Sequence, residues 1–463
     1  MKRFQWMALV CVVAVAAVAC GRSGSGASPN NTTPPSSNTA ASPTSGSFGT
    51  SDVVCKKGKP SGSPAQGVNA SEIHIGTMAD PGFAGRPGLD QELFDTAKVF
   101  ADWCNAAGGI NGRKIVNDLL DSALTNVKAK MDQACITDFM LVGGGTVFDQ
   151  DGVKDRLSCT MPEIAGYAVS AEARGADLLI QPIPNDVKTL PIGDYQYLTK
   201  KFPNAIKAYG VLTGDLSTTK IVAQQGDEAA KSLGWNKVYD DAYPAAGVSD
   251  WTPVAQKIKD NGVKALLWTG EPENLAKLLQ SLSDIGYQLD FIRTDANHYD
   301  QKLIDTGGAA VKNVYVRGAF SPFELASSNQ ATKQYLDAFK QYLPGGKSHA
   351  YLGLQAWSAW LLFAQSANEC GDNLTRKCVY DNAKKVTAWT GGGLHAETNL
   401  KTGAAPECFV DLIASASGFK LADDIKPNKG IYHCDPKSVY TLTGNYGKGV
   451  TLADVGKSIS DFK

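Results

Sequence analysis

The sequence lacks the features by which most enzymes and nucleic-acid-binding proteins are recognised. It contains no GxSxG, HExxH or phosphate-binding-loop motif, and no GxGxxG motif that opens a helix. Its five histidines are isolated from one another, and its formal net charge is only −1. The lysines and arginines are scattered, which leaves no basic face for nucleic acid. We therefore predict no enzymatic activity, no nucleic-acid partner, no metal and no cofactor.

The sequence also lacks an apolar run long enough for a comfortable membrane-spanning helix. Residues 6–18 are uncharged, follow Lys2 and Arg3, and end in small residues before Cys20. A short apolar run with a positive start is typical of an export signal. This one resembles bacterial lipoprotein signals, in which Cys20 would be lipidated, although Ala17 stands where leucine is usual. A plain secretory signal is the alternative, and both predict an exported protein.

A stretch poor in large apolar residues follows the signal. Residues 21 to about 51 are mainly Ser, Thr, Pro, Gly, Asn and Ala, with Phe48 as the one large apolar side chain. Such a composition cannot bury enough surface to order itself. We predict a flexible tether over 21–70, which holds a globular body away from the membrane. Its length is suited to a thick envelope of the Gram-positive or actinobacterial type.

Cysteine is more abundant than a reducing compartment favours. Ten are present, and eight remain after removal of Cys11 in the signal and Cys20 at the anchor position. Outside the cell an even number predicts disulfides. Pairing of neighbours gives Cys135–Cys159, Cys370–Cys378 and Cys408–Cys434, which leaves Cys55–Cys104. A zinc site at Cys408, His433 and Cys434 is the alternative for that region.

From residue 71 onward, strand and helix patterns alternate. We predict strands over 72–77, 114–121, 139–142, 207–212, 237–239 and 263–268, and helices over 91–105, 126–137, 218–233, 251–260 and 272–285. Repeated strand–helix–strand units imply parallel sheets flanked by helices. The number of strands predicts an α/β protein of two doubly wound, Rossmann-like lobes. Ligands of such sheets bind at the carboxyl ends of the strands, so the two lobes would share a cleft.

Several segments resemble one known family. AAGGINGRKI at 106–115 is the most specific, and GGG at 143–145, MPEIAGY at 161–167 and YGVLTGD at 209–215 agree in order. Longer segments at 264–288 and 393–412 extend the similarity over roughly 71–421. These residues resemble the branched-chain amino-acid-binding family, leucine/isoleucine/valine-type solute receptors of ABC transporters.

The resemblance implies a type I periplasmic-binding fold with a three-strand hinge. The first lobe would comprise 71–187 and 322–402, and the second 188–321 and 403–463. Such a protein closes on a small molecule and delivers it to the membrane permease of an ABC importer. A monomer is expected, held at the outer face of the cytoplasmic membrane by its lipid anchor alone.

The resemblance also indicates which loops would contact the ligand. Backbone N–H groups and a hydroxyl at Gly144–Thr146 could solvate a carboxylate, Arg86 could clamp one in bidentate fashion, and Glu271 and Asp295 could receive an ammonium group. For each of these an ordinary turn or surface role is the alternative. The full set of candidate ligand-binding residues is Phe83, Arg86, Gly144, Gly145, Thr146, Ala165, Tyr167, Ser217, Glu271, Asp295 and His298. We interpret Trp357 and Trp360 as core residues.

The identity of the ligand stays open at this point. Amino-acid-binding members carry a Ser/Thr-rich run where this sequence has GGGTVFDQ at 143–150. A branched-chain or related amino acid is the leading ligand class, and an aromatic or apolar carboxylate or an amide is the alternative. A ligand sensor for a membrane signalling protein would use the same fold. A structural envelope protein and a hydrolase are the remaining alternatives.

Overall fold

The computed structural model describes residues 46–463. The export signal, the lipidation at Cys20 and the tether up to residue 45 therefore lie outside the described residues. Within 46–463, no helix combines the length and the apolar character that crossing a bilayer requires.

The segment 46–70 packs onto the globular body, which corrects the predicted tether over these residues. It begins with an antiparallel ribbon of β1 (Ser47–Phe48) and β2 (Ser51–Val53). Phe48 is 2% exposed and lies against the rings of Trp103 and Trp357. Composition did not indicate this packing because a single aromatic side chain carries it. The buried Val54, Cys55 and Val68 then add to the same core.

The first lobe is built on a parallel sheet of five strands in the order β4-β3-β5-β6-β7. Its strands are β3 (Glu72–Ala79), β4 (Lys114–Asp121), β5 (Met140–Val142), β6 (Glu163–Ile164) and β7 (Leu179–Ile180). Its helices are α1 (Gln91–Ala107), α2 (Val127–Thr137), α3 (Gln150–Ser158) and α4 (Ala171–Arg174). Each long helix follows a strand, as the alternating pattern predicted.

The second lobe repeats the scheme with a larger sheet in the order β10-β9-β11-β12-β13-β14-β15. Its first strands and helices are β8 (Thr189–Pro191), α5 (Gly193–Lys201), β9 (Tyr209–Gly214), α6 (Ser217–Ser232), β10 (Lys237–Tyr243), α7 (Thr252–Asp260), β11 (Ala265–Thr269), α8 (Pro272–Asp284), β12 (Phe291–Thr294), α9 (Gln301–Gly307) and β13 (Val314–Gly318). Strands β9 to β13 are parallel. The predicted α/β class with two doubly wound lobes is confirmed.

Three helices return to the first lobe, namely α10 (Gln330–Tyr342), α11 (Tyr351–Cys370) and α12 (Arg376–Lys384). Helices α10 and α11 pack on α1. Trp357 and Trp360 are fully buried there, and Trp357 lies against the rings of Phe100 and Tyr335. Their interpretation as core residues is confirmed.

The chain ends by crossing between the lobes once more. Strands β14 (Cys408–Ser415), β15 (Gly418–Leu421) and β16 (His433–Cys434) add antiparallel pairs to the second lobe, and β17 (Val439–Thr441) pairs with β8. Val450, Leu452 and Phe462 then pack against Val153 and Leu157 of α3. The prediction placed all of 403–463 in the second lobe and expected three segments that cross between the lobes. In the structure, residues 442–450 form a fourth crossing segment. Residues 442–450 have no periodic pattern of apolar side chains from which this crossing could have been predicted.

The four predicted disulfides are all present in the structure: Cys55–Cys104, Cys135–Cys159, Cys370–Cys378 and Cys408–Cys434. The alternative of a zinc site at Cys408, His433 and Cys434 is wrong because the two sulfurs are bonded to each other. The ring of His433 instead lies 3.1 Å from the Lys426 carbonyl.

Stability is expected to fall between about pH 6.5 and pH 4 because of buried His395. Burial lowers the pKa of His395 to about 4, against the opposing hydrogen bond to the Ala396 carbonyl. The unfolded chain therefore binds this proton at a higher pH than the folded protein does. As the pH falls through this window, the free energy of unfolding decreases by up to about 3 kcal/mol. Urea unfolding of the wild type and of His395→Gln, measured across pH 4 to 7, would check it. An equally steep profile in the variant would contradict the assignment.

Candidate functional site

A large cleft lies between the two lobes, with a volume of about 1120 Å³. Its first-lobe wall includes the loop after β3, and its second-lobe wall includes the loops after β9, β11 and β12. These loops follow the carboxyl ends of parallel strands, the edge at which such sheets bind ligands. The cleft is therefore where the strand order places a binding site.

The structure places five of the predicted ligand-binding residues on the wall of this cleft and six elsewhere. Those on the wall are Phe83, Arg86, Tyr167, Glu271 and Asp295. Those not on the wall are Gly144, Gly145, Thr146, Ala165, Ser217 and His298. Five of the predicted side chains thus border the cleft, and their role in ligand binding stays a prediction.

The glycine turn after β5 lies behind the wall because its neighbours cover it. The Gly145 N–H donates to the Met78 carbonyl at 2.9 Å. A Cβ at Gly145 would stand 2.5 Å from the Tyr167 ring, so glycine is needed there for close packing. Thr146 is 3% exposed, and Ala165 is fully buried. This turn supports the Tyr167 ring, which itself faces the cleft.

Two second-lobe candidates are also displaced from the wall. His298 is fully buried, and its ring nitrogen lies 3.3 Å from the Asp295 carboxylate. Ser217 begins α6 with its side chain exposed, and the next residue, Thr218, faces the cleft instead. His298 thus holds a residue of the wall in place.

The guanidinium of Arg86 joins the two lobes across the cleft. Its Nη1 lies 2.6 Å from Glu271 Oε2, its Nε donates to Glu273 Oε1 at 2.5 Å, and its Nη2 donates to Glu273 Oε2 at 3.1 Å. Pro272 starts α8, which brings both acids to the helix N-terminus, where negative charge is favoured. The predicted carboxylate clamp and one predicted ammonium partner therefore neutralise each other.

Burial and charge shift the acids around this ion pair in opposite directions. Burial raises the pKa of Glu271, with the charge of Arg86 opposing it. Burial acts likewise on Glu273, but the hydrogen bond and the charge of Arg86 prevail and lower its pKa. Burial and then Glu92 raise the pKa of Asp90, which accepts a hydrogen bond from the Tyr167 hydroxyl at 2.7 Å. Arg86 thus meets one firmly ionised acid, Glu273.

A second ion pair bridges the lobes through Lys347, which precedes α11. Its Nζ lies 2.9 Å from Glu92 Oε2 in α1 and 2.8 Å from Asp300 Oδ2 in the second lobe. Sequence reasoning missed this lysine because a surface role is the ordinary expectation for one.

Three arginines on the wall were also missed. Arg293 lies in β12 and donates from Nε to Asp194 Oδ2 at 2.7 Å, and Arg317 lies in β13 with its Nε 4.0 Å from Asp194 Oδ1. Arg174 of α4 donates to the side-chain oxygens of Asn185 and Gln225, each at 3.2 Å. A signal existed for the first two, since an arginine within an apolar strand requires polar partners.

This chain is similar to a family of binding proteins and to solved structures of substrate-binding proteins. Residues 195–410 match a family model described as periplasmic binding protein, whereas no curated protein sequence matches the chain. A fatty acid ABC transporter substrate-binding protein from Thermomonospora curvata has a TM-score of 0.64 at 16% identity, covering 81% of this chain and 95% of its own.

Two further solved structures share the fold. A leucine-binding protein, LivK, from Thermotoga maritima has a TM-score of 0.62 at 14% identity, covering 77% of this chain and 99% of its own. The branched-chain amino acid transporter substrate-binding protein LivJ from Streptococcus pneumoniae, in complex with isoleucine, has a TM-score of 0.56 at 16% identity, covering 76% and 99% respectively. At these identities the likeness shows the fold.

Proposed function

We propose that this chain, which carries a periplasmic-binding-protein domain on the type I periplasmic-binding fold, is the extracytoplasmic solute receptor of an ABC importer. It binds a small organic solute between its lobes, closes about the hinge and presents the loaded form to the permease. The cleft carries this proposal, since charged residues of both lobes line it and meet across it.

Closure is the physical basis of such a receptor. A ligand that contacts both lobes binds the closed state more tightly than the open one and shifts the equilibrium towards closure. The permease can then distinguish loaded from empty protein. Export and anchoring through Cys20 at the outer face of the cytoplasmic membrane complete the proposal, and the four disulfides support an oxidising location.

Two ligand classes are compatible with this function. A branched-chain or related amino acid is supported by the likeness to receptors such as the isoleucine-bound structure. An apolar carboxylate is supported by the pairing of Glu271 with Arg86, because this acid is then not available to an ammonium group. The likeness to a receptor named for fatty acids agrees with the second class.

The test is a binding screen with the mature protein prepared in an oxidising compartment. The compounds are leucine, isoleucine, valine, phenylalanine, phenylacetate, octanoate, dodecanoate, their amides, and glucose. A true ligand at a hundred times its Kd adds about 2.7 kcal/mol to stability, which raises the melting midpoint. Small-angle X-ray scattering should show a smaller radius of gyration with the same compound.

The outcomes separate the alternatives. A single saturable site with compaction supports the receptor. No binding by any compound favours a structural envelope protein, and chemical conversion of a bound compound would establish a hydrolase.

A further inference from the structure

We propose that the solute of this cleft is an organic anion with a large apolar body, and that Arg174 and Arg317 are its anion-binding residues. The inference rests on the receptor function proposed above and specifies its ligand. It follows from which charges on the wall are already paired, from the surroundings of the two arginines, and from the size of the cleft.

The acids of the cleft wall all have partners within the described part of the chain. Glu271 and Glu273 pair with Arg86, and Asp300 pairs with Lys347. The remaining acids accept hydrogen bonds: Asp90 from Tyr167, Asp295 from the Asn297 N–H with His298 alongside, and Asp305 from Gln301. Glu271, Glu273 and Asp300 are thus each paired with a cation, which an incoming ammonium group would have to displace, whereas the other three acids keep further acceptor sites.

Arg317, in contrast to these acids, is not fully hydrogen-bonded among the described residues. Its side chain is 15% exposed, and its Nε and Nη2 are buried without any hydrogen-bond acceptor among residues 46–463. The carboxylate of Asp194 approaches only to 4.0 Å. A buried donor without an acceptor is costly, and an anion at the exposed part of the Arg317 side chain, which lines the cleft, would offset its charge.

Asp411 lies directly opposite Arg317 in the β13–β14 ladder, yet the two form no ion pair within 4 Å. Asp411 is 2% exposed and does not line the cleft. Burial and the neighbouring Asp194 raise its pKa, against the charges of Arg293 and Arg317. Both Asp411 carboxylate oxygens are also buried without a hydrogen-bond donor among residues 46–463, so Asp411 offsets part of the Arg317 charge, whereas only Arg317 of the two lines the cleft.

Arg174 supplies the second cation from the first lobe. It is 7% exposed and donates only to the neutral amides of Asn185 and Gln225, while its Nε has no acceptor in the described range. A guanidinium presents a planar fork that suits a carboxylate or phosphate. Because Arg174 and Arg317 belong to different lobes, an anion attracted by both favours the closed arrangement.

The wall near Arg174 is apolar. Val222 lies one helical turn before Gln225 on the same side of α6, and it lines the cleft together with Ile183, Pro184, Leu190, Pro191 and Leu216. The open cleft, with a volume of about 1120 Å³, has room for a ligand with an extended body. A charged head with an extended apolar body fits both the charges and the space.

The probe for the test is dodecanoate, titrated calorimetrically into the delipidated mature protein. Dodecanamide is the uncharged analogue of dodecanoate, and dodecyltrimethylammonium is the cationic analogue. Octanoate and leucine are titrated as well. We expect dodecanoate to bind, both neutral and cationic analogues to bind at least about tenfold more weakly, and affinity to rise up to about fourfold per added methylene.

The variants are Arg317→Gln and Arg174→Gln, each expected to weaken dodecanoate binding about tenfold to a hundredfold. The double variant Arg317→Gln/Asp411→Asn also removes the carboxylate that Arg317→Gln alone would leave without its arginine. This variant should fold and should still bind dodecanoate weakly. The control is Arg156→Gln, a buried arginine bonded to backbone carbonyls outside the cleft. It should lower stability and leave the affinity within about twofold.

Two results would overturn the anion assignment while leaving the receptor in place. One is dodecanamide or leucine binding as tightly as dodecanoate. The other is wild-type affinity in both Arg174→Gln and the Arg317→Gln/Asp411→Asn double variant. If none of these compounds binds, the anion assignment fails, and the receptor function fails with it only when the wider screen also finds no ligand.

Discussion

Replacing Arg86 with glutamine is expected to weaken solute binding by roughly thirty- to a hundredfold, with little change in the unfolding midpoint. The ion pairs of Arg86 with Glu271 and Glu273 join different lobes, so in the proposed hinge motion they would break when the lobes separate. Removing one partner of a largely buried pair costs about 2 to 3 kcal/mol, because the other charge stays buried and unpaired. Titration of the solute found in the screen, with scattering measurements of the ligand-free protein, would check this.

A triple variant, Arg86→Gln with Glu271→Gln and Glu273→Gln, tests the cause. It leaves no unpaired carboxylate and should recover much of the affinity. Lys333→Gln, which breaks an exposed pair with Asp337 on α10, is the control and should change neither quantity. If the triple variant binds as weakly as the single one, Arg86 contacts the solute directly and does not act through lobe closure.

Loss of the Cys55–Cys104 disulfide should destabilise the first lobe by about 4 kcal/mol, through the entropy of a long open loop. The two cysteines are 49 residues apart. The bond holds the segment 46–70 on α1, where Phe48 fills a space between Trp103 and Trp357. Urea unfolding of Cys55→Ala/Cys104→Ala, followed by tryptophan fluorescence, would measure the loss.

The matched control is Cys370→Ala/Cys378→Ala, which opens a separation of only 8 residues in the same lobe. The loop-entropy relation gives about 2.5 kcal/mol for it. Equal losses in the two variants would show that packing, and not loop length, determines the effect.

Sequence periodicity predicted the elements well where an amphipathic pattern exists. The strand Lys114–Asp121 has the predicted bounds, and α2 and α7 each begin one residue later than expected. Alternation and helical spacing report local burial directly. The cysteine pairs were found because each of the four disulfides joins two cysteines that are consecutive in the sequence.

The candidate site was predicted only at the level of loops. Strand order shows that the loop bearing Arg86 and the loop bearing Glu271 reach one cleft. It does not show that these side chains, separated by 185 positions, meet. Which side chain crosses to the other lobe depends on lobe orientation, which no local pattern records. The unpaired donors of Arg317 are likewise visible only when every neighbour is placed.

The path of the chain also constrains the order in which the molecule can fold. The core of the first lobe includes Phe48 near the start of the described chain and Leu361 of α11, and Phe462 packs beside it on Tyr380. The second lobe is mostly continuous between β8 and β13. During synthesis, which starts at the N-terminus, most of the second lobe can therefore fold before the first lobe is complete. The first lobe requires contacts between residues that are very far apart in the sequence. Until the C-terminal segment arrives, apolar surfaces of the first lobe stay exposed, so this lobe is the more prone to aggregation during synthesis.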